Sequence, residues 1–96
     1  MNYMIEIKPL HYFLAAYEEG SITAAASRCF IAQPSITHAI KSLESRLGVT
    51  LFERSKQGIK PTSEGKKLYK LATDLLLQNQ QLEEAFIPDG KIKLYL

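Results

Sequence analysis

Hydrogen-bonding side chains are concentrated between Gln33 and Lys41. Ser35, Thr37 and His38 lie between these two residues, and the segment holds no carboxylate. Hydroxyls, an amide, an imidazole and a cation can exchange hydrogen bonds with base edges in the major groove of duplex DNA and with its phosphates. The same residues also suit an ordinary solvated helix face, so the pattern alone does not decide between the two interpretations.

Two short helices joined by a tight turn are needed to position these side chains. The hydroxyl of Ser21 can cap a first helix that contains the alanines at 24–26. The small size of these alanines lets another helix approach closely. Gln33 and Pro34 open a second helix, because proline is tolerated in a first turn where no backbone donor is needed. Its core-facing residues are predicted from their spacing to be Ile36, Ile40, Leu43 and Leu47. The layout is that of a helix-turn-helix.

Further elements flank this pair of helices. An earlier helix that packs beneath the pair is predicted from an apolar stripe at helical spacing, formed by Leu10, Phe13, Leu14 and Tyr17. This helix is expected to start after Pro9 and to stop at Gly20. Residues 54–61 are polar and basic with Gly58 near the tip, which predicts a β-hairpin, here called the wing.

A long helix is predicted to begin at Thr62 or Ser63 and to end near Phe86. Leu68, Leu75 and Leu82 recur every seven residues, and Leu71 lies between the first two. This repeat is typical of a helix that pairs with a second helix. The dimerisation residues are therefore expected to be Leu68, Leu71, Leu75 and Leu82.

The chain resembles the amino-terminal domain of LysR-type transcriptional regulators over most of its length. The residues that carry the resemblance run in order through both short helices, the wing and the start of the long helix: Phe13, Gly20, Ser21, Ile22, Ala25, Ala26, Gln33, Pro34, Ser35, Ile36, Thr37, Ile40, Leu43, Glu44, Leu47, Gly48, Leu51, Phe52, Glu53, Arg54, Thr62 and Gly65. The resemblance implies a mainly α fold, a winged helix-turn-helix with a three-helix head and a small β wing, followed by a long dimerisation helix. The implied divisions are a head at 1–62, a linker helix at 63–87, and a turn with an orphan strand at 88–96.

The resemblance also implies which residues meet DNA. The cap of the first short helix would touch the backbone, the start of the second would touch base edges and phosphates, and the wing would lie on or near the minor groove. The expected DNA-binding residues are Ser21, Thr23, Gln33, Pro34, Ser35, Thr37, His38, Lys41, Arg54 and Lys56, with Lys60 a weaker candidate. His38 departs from the arginine usual in the family, Ala32 from a capping serine or threonine, and Pro61 from an apolar residue. These departures predict a different site preference from His38, a missing helix cap at Ala32 and a looser wing at Pro61.

The partners implied are a pseudo-palindromic DNA operator and a second copy of the chain, paired antiparallel through the linker helix. Residues 91–96 alternate like the first strand of the effector domain that usually follows in the family, so a truncated regulator without a small-molecule response is expected. A rival hypothesis is a protein-interaction module that forms mixed dimers with full-length relatives and antagonises them. Ala32 and His38 give this rival some support.

Composition agrees with these expectations. Residues 28–67 hold eight Lys or Arg against three Glu, whereas the whole chain of 96 residues has a net charge of +2, so the positive charge coincides with the proposed DNA-binding part. The content of 46% hydrophobic residues favours one small folded domain. With one Cys, two His and no ligand cluster or phosphate loop, we expect no enzyme, no metal and no cofactor.

The remaining sequence features are negative. Cys29 is the lone cysteine and is expected to be a small buried hydrophobe rather than a redox sensor. No apolar run approaches the roughly twenty residues needed to cross a membrane, and residues 1–9 do not resemble a signal peptide. A cytoplasmic protein with no membrane partner is therefore expected.

Overall fold

The computed structural model describes residues 5–87, which form four helices and a two-stranded sheet. In chain order the elements are α1 (Ile7–Glu19), α2 (Ile22–Cys29), α3 (Gln33–Leu47), β1 (Phe52–Ser55), β2 (Gly58–Pro61) and α4 (Ser63–Phe86). The predicted winged helix-turn-helix is confirmed, with α2 and α3 as the helix-turn-helix and β1 and β2 as the wing. The turn expected at 88–90 and the strand expected at 91–96 lie outside the described residues.

The core of the head lies between α1, α2 and α3 and is closed by the connection into the wing. Its buried members are Leu10, Phe13, Leu14, Ala15, Ala16, Ala25, Ala26, Ile36, Ala39, Ile40, Leu43, Leu51 and Phe52, with Ala72 joining from α4. Ala25 and Ala26 of α2 are buried and Ala24 is half-buried, and these small side chains let the backbone of α2 lie close to its neighbours. The core therefore holds the start of α3 in place from below.

Two sequence predictions need correction. The first helix begins at Ile7 and not after Pro9. Pro9 is tolerated in the first turn because the backbone N–H groups there have no acceptor within the helix, so its missing N–H costs no helical hydrogen bond. Leu47 was expected in the core but is 40% exposed, since α3 ends there and Gly48 turns the chain away in a left-handed conformation. Leu47 instead borders a shallow apolar groove with Val49 and Leu68.

Hydroxyl caps start two of the helices. Ser21 Oγ accepts a hydrogen bond from the Ala24 amide at 3.1 Å, and Thr62 Oγ1 accepts one from the Gly65 amide at 3.0 Å. At the start of α3 the capping position is Ala32, which makes no side-chain cap bond. The absent cap predicted from the sequence is thus confirmed, and α3 depends on packing and on Pro34 in its first turn.

The wing is fastened to the head on both sides. The Leu51 amide before β1 donates to Glu44 Oε2 at 2.8 Å, and the Ile59 amide of β2 donates to the Gly20 carbonyl oxygen at 3.3 Å. Gly58 has φ +126°, and a Cβ there would collide with that same carbonyl. The close approach between the wing and the turn before α2 therefore requires glycine.

The long helix α4 is held against α1 by a polar cluster and an aromatic stack. The Tyr69 hydroxyl donates to Glu18 Oε2 at 2.7 Å, Arg28 lies 2.8 Å from Glu18 Oε1, and the rings of Tyr17 and Tyr69 stack with centroids 4.0 Å apart. The hydrogen bond from Tyr69, followed by that from Arg28, lowers the pKa of the Glu18 carboxyl below its ordinary value. This cluster ties α1, α2 and α4 into one unit.

Candidate nucleic-acid interface

The outer side of α3 presents most of the predicted base-reading residues together. Gln33, Pro34, Thr37, His38 and Lys41 line one open, shallow surface, and all but the half-buried Thr37 are exposed. The opposite side of the helix carries Ile36, Ile40 and Leu43 into the core. Because the core fixes that side, the polar side is held in one orientation toward solvent.

Ser35 is exposed and lies on the flank of α3 that faces the start of α1, a flank that it shares with Pro34 and His38. It borders a groove at the start of α1 together with Lys8, Tyr12 and His38. Sequence reasoning did not single out Lys8, because nothing local shows that the start of α1 approaches the outer side of α3. The groove adds the cation of Lys8 beside the predicted surface, together with the carboxylate of Glu6.

The two predicted residues of α2 differ in availability. The Ser21 hydroxyl is half-buried and already accepts the capping bond from Ala24. Thr23 is exposed and lines a shallow surface that continues to Gln33 at the start of α3. Thr23 therefore extends the polar surface of α3, whereas Ser21 chiefly fixes the beginning of α2.

The wing supplies exposed cations. Arg54 lies in β1 opposite Ile59, and Lys56 lies in the turn between the strands. Within residues 5–87 neither side chain, nor that of Lys41, takes part in an ion pair. Their charges are therefore not neutralised by neighbouring carboxylates in this part of the chain.

The predicted dimerisation leucines are not equivalent. Leu68 is half-buried and packs against the core of the head, whereas Leu71, Leu75 and Leu82 are between 44% and 60% exposed. Phe86, one turn after Leu82, is also exposed and was not predicted as part of this set. We call Leu71, Leu75, Leu82 and Phe86 the α4 stripe, because their spacing places them along one side of the helix.

Other site chemistry is not found in the described part of the chain. Residues 5–87 contain no group of three His, Cys, Asp or Glu placed to hold a metal ion. None of the described helices has the length and apolar character needed to span a membrane. Cys29 is half-buried and packs against the core, so it is less buried than predicted.

Comparison with known proteins identifies the family. The pattern of bacterial regulatory helix-turn-helix proteins of the lysR family matches residues 7–66. The chain belongs to the LysR family. Among curated LysR-type relatives, ClcR of Pseudomonas putida is 47% identical over 72 residues, which cover 75% of this chain and 24% of ClcR. BenM of Acinetobacter baylyi is 41% identical over 78 residues, which cover 81% of this chain and 26% of BenM.

Solved LysR-type structures have the same fold. The CbnR_DBD–DNA complex matches with a TM-score of 0.82 and 37% identity, covering 84% of this chain and 93% of that one. The BenM_DBD/catB site 1 DNA complex matches with a TM-score of 0.81 and 40% identity, covering 84% and 91%. The LysR family consists of transcriptional regulators and is not an enzyme family. The chain spans about a quarter of the length of the curated relatives named above.

The LysR pattern also includes residues whose structural roles sequence reasoning left open. Glu44 holds the connection into the wing through the Leu51 amide, and Gly65 lets α4 begin against the Leu51 carbonyl. Both belong to the motif that carries the resemblance. Their roles depend on which backbone they approach, which the order of residues does not show.

Proposed function

We propose that this LysR-type domain binds duplex DNA sequence-specifically as a dimer, and that the protein regulates transcription through it. The observation that carries the proposal is the outer side of α3, where Gln33, Thr37, His38 and Lys41 converge without a carboxylate. Such a surface matches the donors and acceptors of the major groove and the charge of the phosphates. The likeness to the DNA-complexed CbnR and BenM domains supports the same conclusion.

Base contacts are assigned to the first turns of α3. Gln33 can form a bidentate pair with adenine, and the side chains of Pro34 and Thr37 can contact a thymine methyl. His38 provides a short imidazole, which is a weaker partner for guanine than the longer forked guanidinium of arginine. Lys41, one turn further along, suits a phosphate. We propose that this combination sets the preference among operators.

Contacts with the DNA backbone are assigned mainly to α2 and to the wing. Thr23 offers a hydroxyl beside Gln33, while Ser21 can offer its backbone amide near the start of α2, since its hydroxyl is used as a cap. Ser35, on the α1 flank, and two cations of the wing, Arg54 in β1 and Lys56 at the tip, complete the set of proposed phosphate contacts. Contacts of this kind fix the position of the domain and carry no sequence information.

Replacing Arg54 by Ala should weaken binding to all duplexes by about five- to tenfold and lower the slope of log affinity against log salt by about one per protomer. The reason is that a phosphate contact releases counterions when it forms. Fluorescence anisotropy titrations at three salt concentrations measure both quantities. Lys60→Ala, which removes the same charge from the other strand of the wing, should have a smaller effect. An Arg54→Ala protein with the same affinity and slope as the parent would remove Arg54 from the contact surface.

Homodimerisation is assigned to the α4 stripe. About 1.5 Å of rise per residue puts Leu71 and Leu82 some 16 Å apart, too far along α4 for the head to cover both. The start of α4 carries Lys66, Lys67 and Lys70 against the single carboxylate of Glu64, and its end carries Glu83 and Glu84. Antiparallel pairing brings the basic start of one helix near the acidic end of the other, whereas parallel pairing would bring like charges together.

The antiparallel register also gives Phe86 a place to pack. If Leu71 of one chain lies opposite Leu82 of the other, the end of each α4 lies opposite Lys67 and Leu68 of its partner. At that level the groove bordered by Leu47, Val49 and Leu68 is open. Two heads placed in this way would read half-sites about one helical turn of DNA apart, as in other dimeric helix-turn-helix proteins.

Selection of bound sequences from random duplexes, at two salt concentrations, tests the proposal. Enrichment of a two-fold symmetric sequence with half-sites about one turn apart is the expected result. Binding that is sensitive to salt but enriches nothing would contradict sequence-specific recognition and favour the mixed-dimer antagonist, for which the uncapped start of α3 and His38 are the relevant features. A cytoplasmic location follows from the proposal, because bacterial operators are in the cytoplasm.

A further inference from the structure

Phe30 ends α2 in a conformation that favours glycine. Three described helices end in a left-handed residue: Gly20 after α1 with φ +67°, Gly48 after α3 with φ +69°, and Phe30 after α2 with φ +58°. Behind Phe30 the Ile31 amide donates to the Ala26 carbonyl oxygen at 3.0 Å, which is the bond of a Schellman motif. Within residues 5–87, Phe30 is the non-glycine residue with positive φ. The backbone is therefore strained at a bulky side chain.

The packing of the head does not explain a phenylalanine at this position. Phe30 is 94% exposed, which is the highest value among the exposed large hydrophobic residues in the described part of the chain. A ring in water contributes almost nothing to the hydrophobic stabilisation of the fold. Folding alone would favour Gly or Asn at this position, since both adopt the left-handed conformation more readily.

The position of Phe30 relates it to the DNA-binding surface. Thr23 and Ser27 are four residues apart and therefore share one side of α2, and Phe30 follows directly after the helix ends at Cys29. These three residues and Gln33, at the start of α3, line the same shallow surface. Two hydroxyls followed by an aromatic ring thus lead directly to a proposed base-reading residue.

We propose that this side of α2 seats one strand of the DNA backbone, with the hydroxyls of Thr23 and Ser27 at phosphates and the Phe30 ring packed on an adjacent deoxyribose. Hydroxyl groups donate to phosphate oxygens, and the carbon face of the sugar is the apolar partner that an exposed ring lacks. Ser27 and Phe30 are additional contacts that rest on the proposed DNA binding. The strain at Phe30 is offset only when DNA is bound.

Phe30→Asn separates the two roles of the residue. Because Asn tolerates the left-handed conformation, the melting temperature should rise by roughly 3–6 °C. Loss of the ring contact should weaken binding to the selected duplex, and to unrelated duplexes, by about tenfold. The salt slope should stay unchanged, since an apolar contact releases no counterions. Circular dichroism melts and anisotropy titrations at three salt concentrations provide the readouts.

Two matched variants complete the test. Phe30→Tyr keeps the ring and should bind within about twofold of the parent, and Leu77→Asn, which removes an exposed apolar side chain from α4, should also leave binding unchanged. If the parent binds DNA and the Phe30→Asn variant binds it with equal affinity, the inference is overturned. A lower melting temperature for that variant would also overturn it. A parent that binds no duplex would overturn the proposed function itself, and the inference with it.

Discussion

Leu75→Asp should convert the proposed dimer to a monomer and lower the affinity for a two-fold symmetric operator by at least about a hundredfold. Leu75 lies near the middle of the α4 stripe and is 44% exposed, so the substitution leaves the head intact. In a paired helix each chain would bury one unpaired carboxylate, and each such charge costs several kcal/mol. Sedimentation velocity at micromolar concentration reports the oligomeric state.

Leu77→Asp is the matched control for this experiment. Leu77 is also exposed on α4, but its position two residues after Leu75 directs it away from the stripe. The same charge placed there should leave the protein dimeric and its operator binding unchanged. If Leu75→Asp stays dimeric, the α4 stripe is not the interface and the antiparallel register proposed for Phe86 is wrong.

The DNA measurement has to use both whole and half operators. A monomer of Leu75→Asp should bind an isolated half-site as well as the parent head does, because its α3 surface is unaltered. The loss should be confined to the whole operator, where the parent gains from binding two linked half-sites at once. Equal losses on both duplexes would show that the substitution disturbs the head.

Local signals explain why several elements could be predicted from the sequence. The start of α3 at Gln33, the start of α4 after Thr62 and the hairpin around Gly58 are each set by residues within a few positions of the boundary. Capping hydroxyls, proline in a first turn and glycine at a tip act on the nearest backbone, so their effects do not depend on the rest of the fold. The same holds for the uncapped Ala32.

The remaining features depend on tertiary packing. Leu47 continues the apolar spacing of α3, yet the core ends before it, and Leu68 fits the heptad repeat but packs against the head. Lys8 and Ser35 border one groove although they lie far apart in the sequence, on α1 and α3. Phe30 lies beside Gln33 because of its unusual backbone angle. Periodicity within one helix does not reveal these relations. It predicts the polar side of α3 but not its neighbours.

Gly65→Ala should destabilise the head by about 3 kcal/mol or more, although the same substitution inside an exposed helix usually stabilises by up to about 1 kcal/mol. A Cβ at Gly65 would collide with the Leu51 carbonyl oxygen and approach Pro61 Cβ to 3.4 Å. Leu51 cannot easily move, because its amide is bonded to Glu44 and its carbonyl accepts the Thr62 amide at 3.0 Å. The α4 helix would have to shift away from the wing instead.

Urea unfolding at a fixed protein concentration measures this effect, since the proposed dimerisation would make the apparent stability depend on concentration. Gly48→Ala is the matched control, because Gly48 has φ +69° but no atom within 4 Å of an added Cβ. It should cost only the strain of a left-handed alanine, about 1 kcal/mol. A Gly65→Ala protein as stable as the parent would show that α4 can begin without close contact to Leu51. The wing and the dimerisation helix would then be less firmly joined than the structure indicates, and the spacing of two heads along DNA would no longer follow from the geometry of α4.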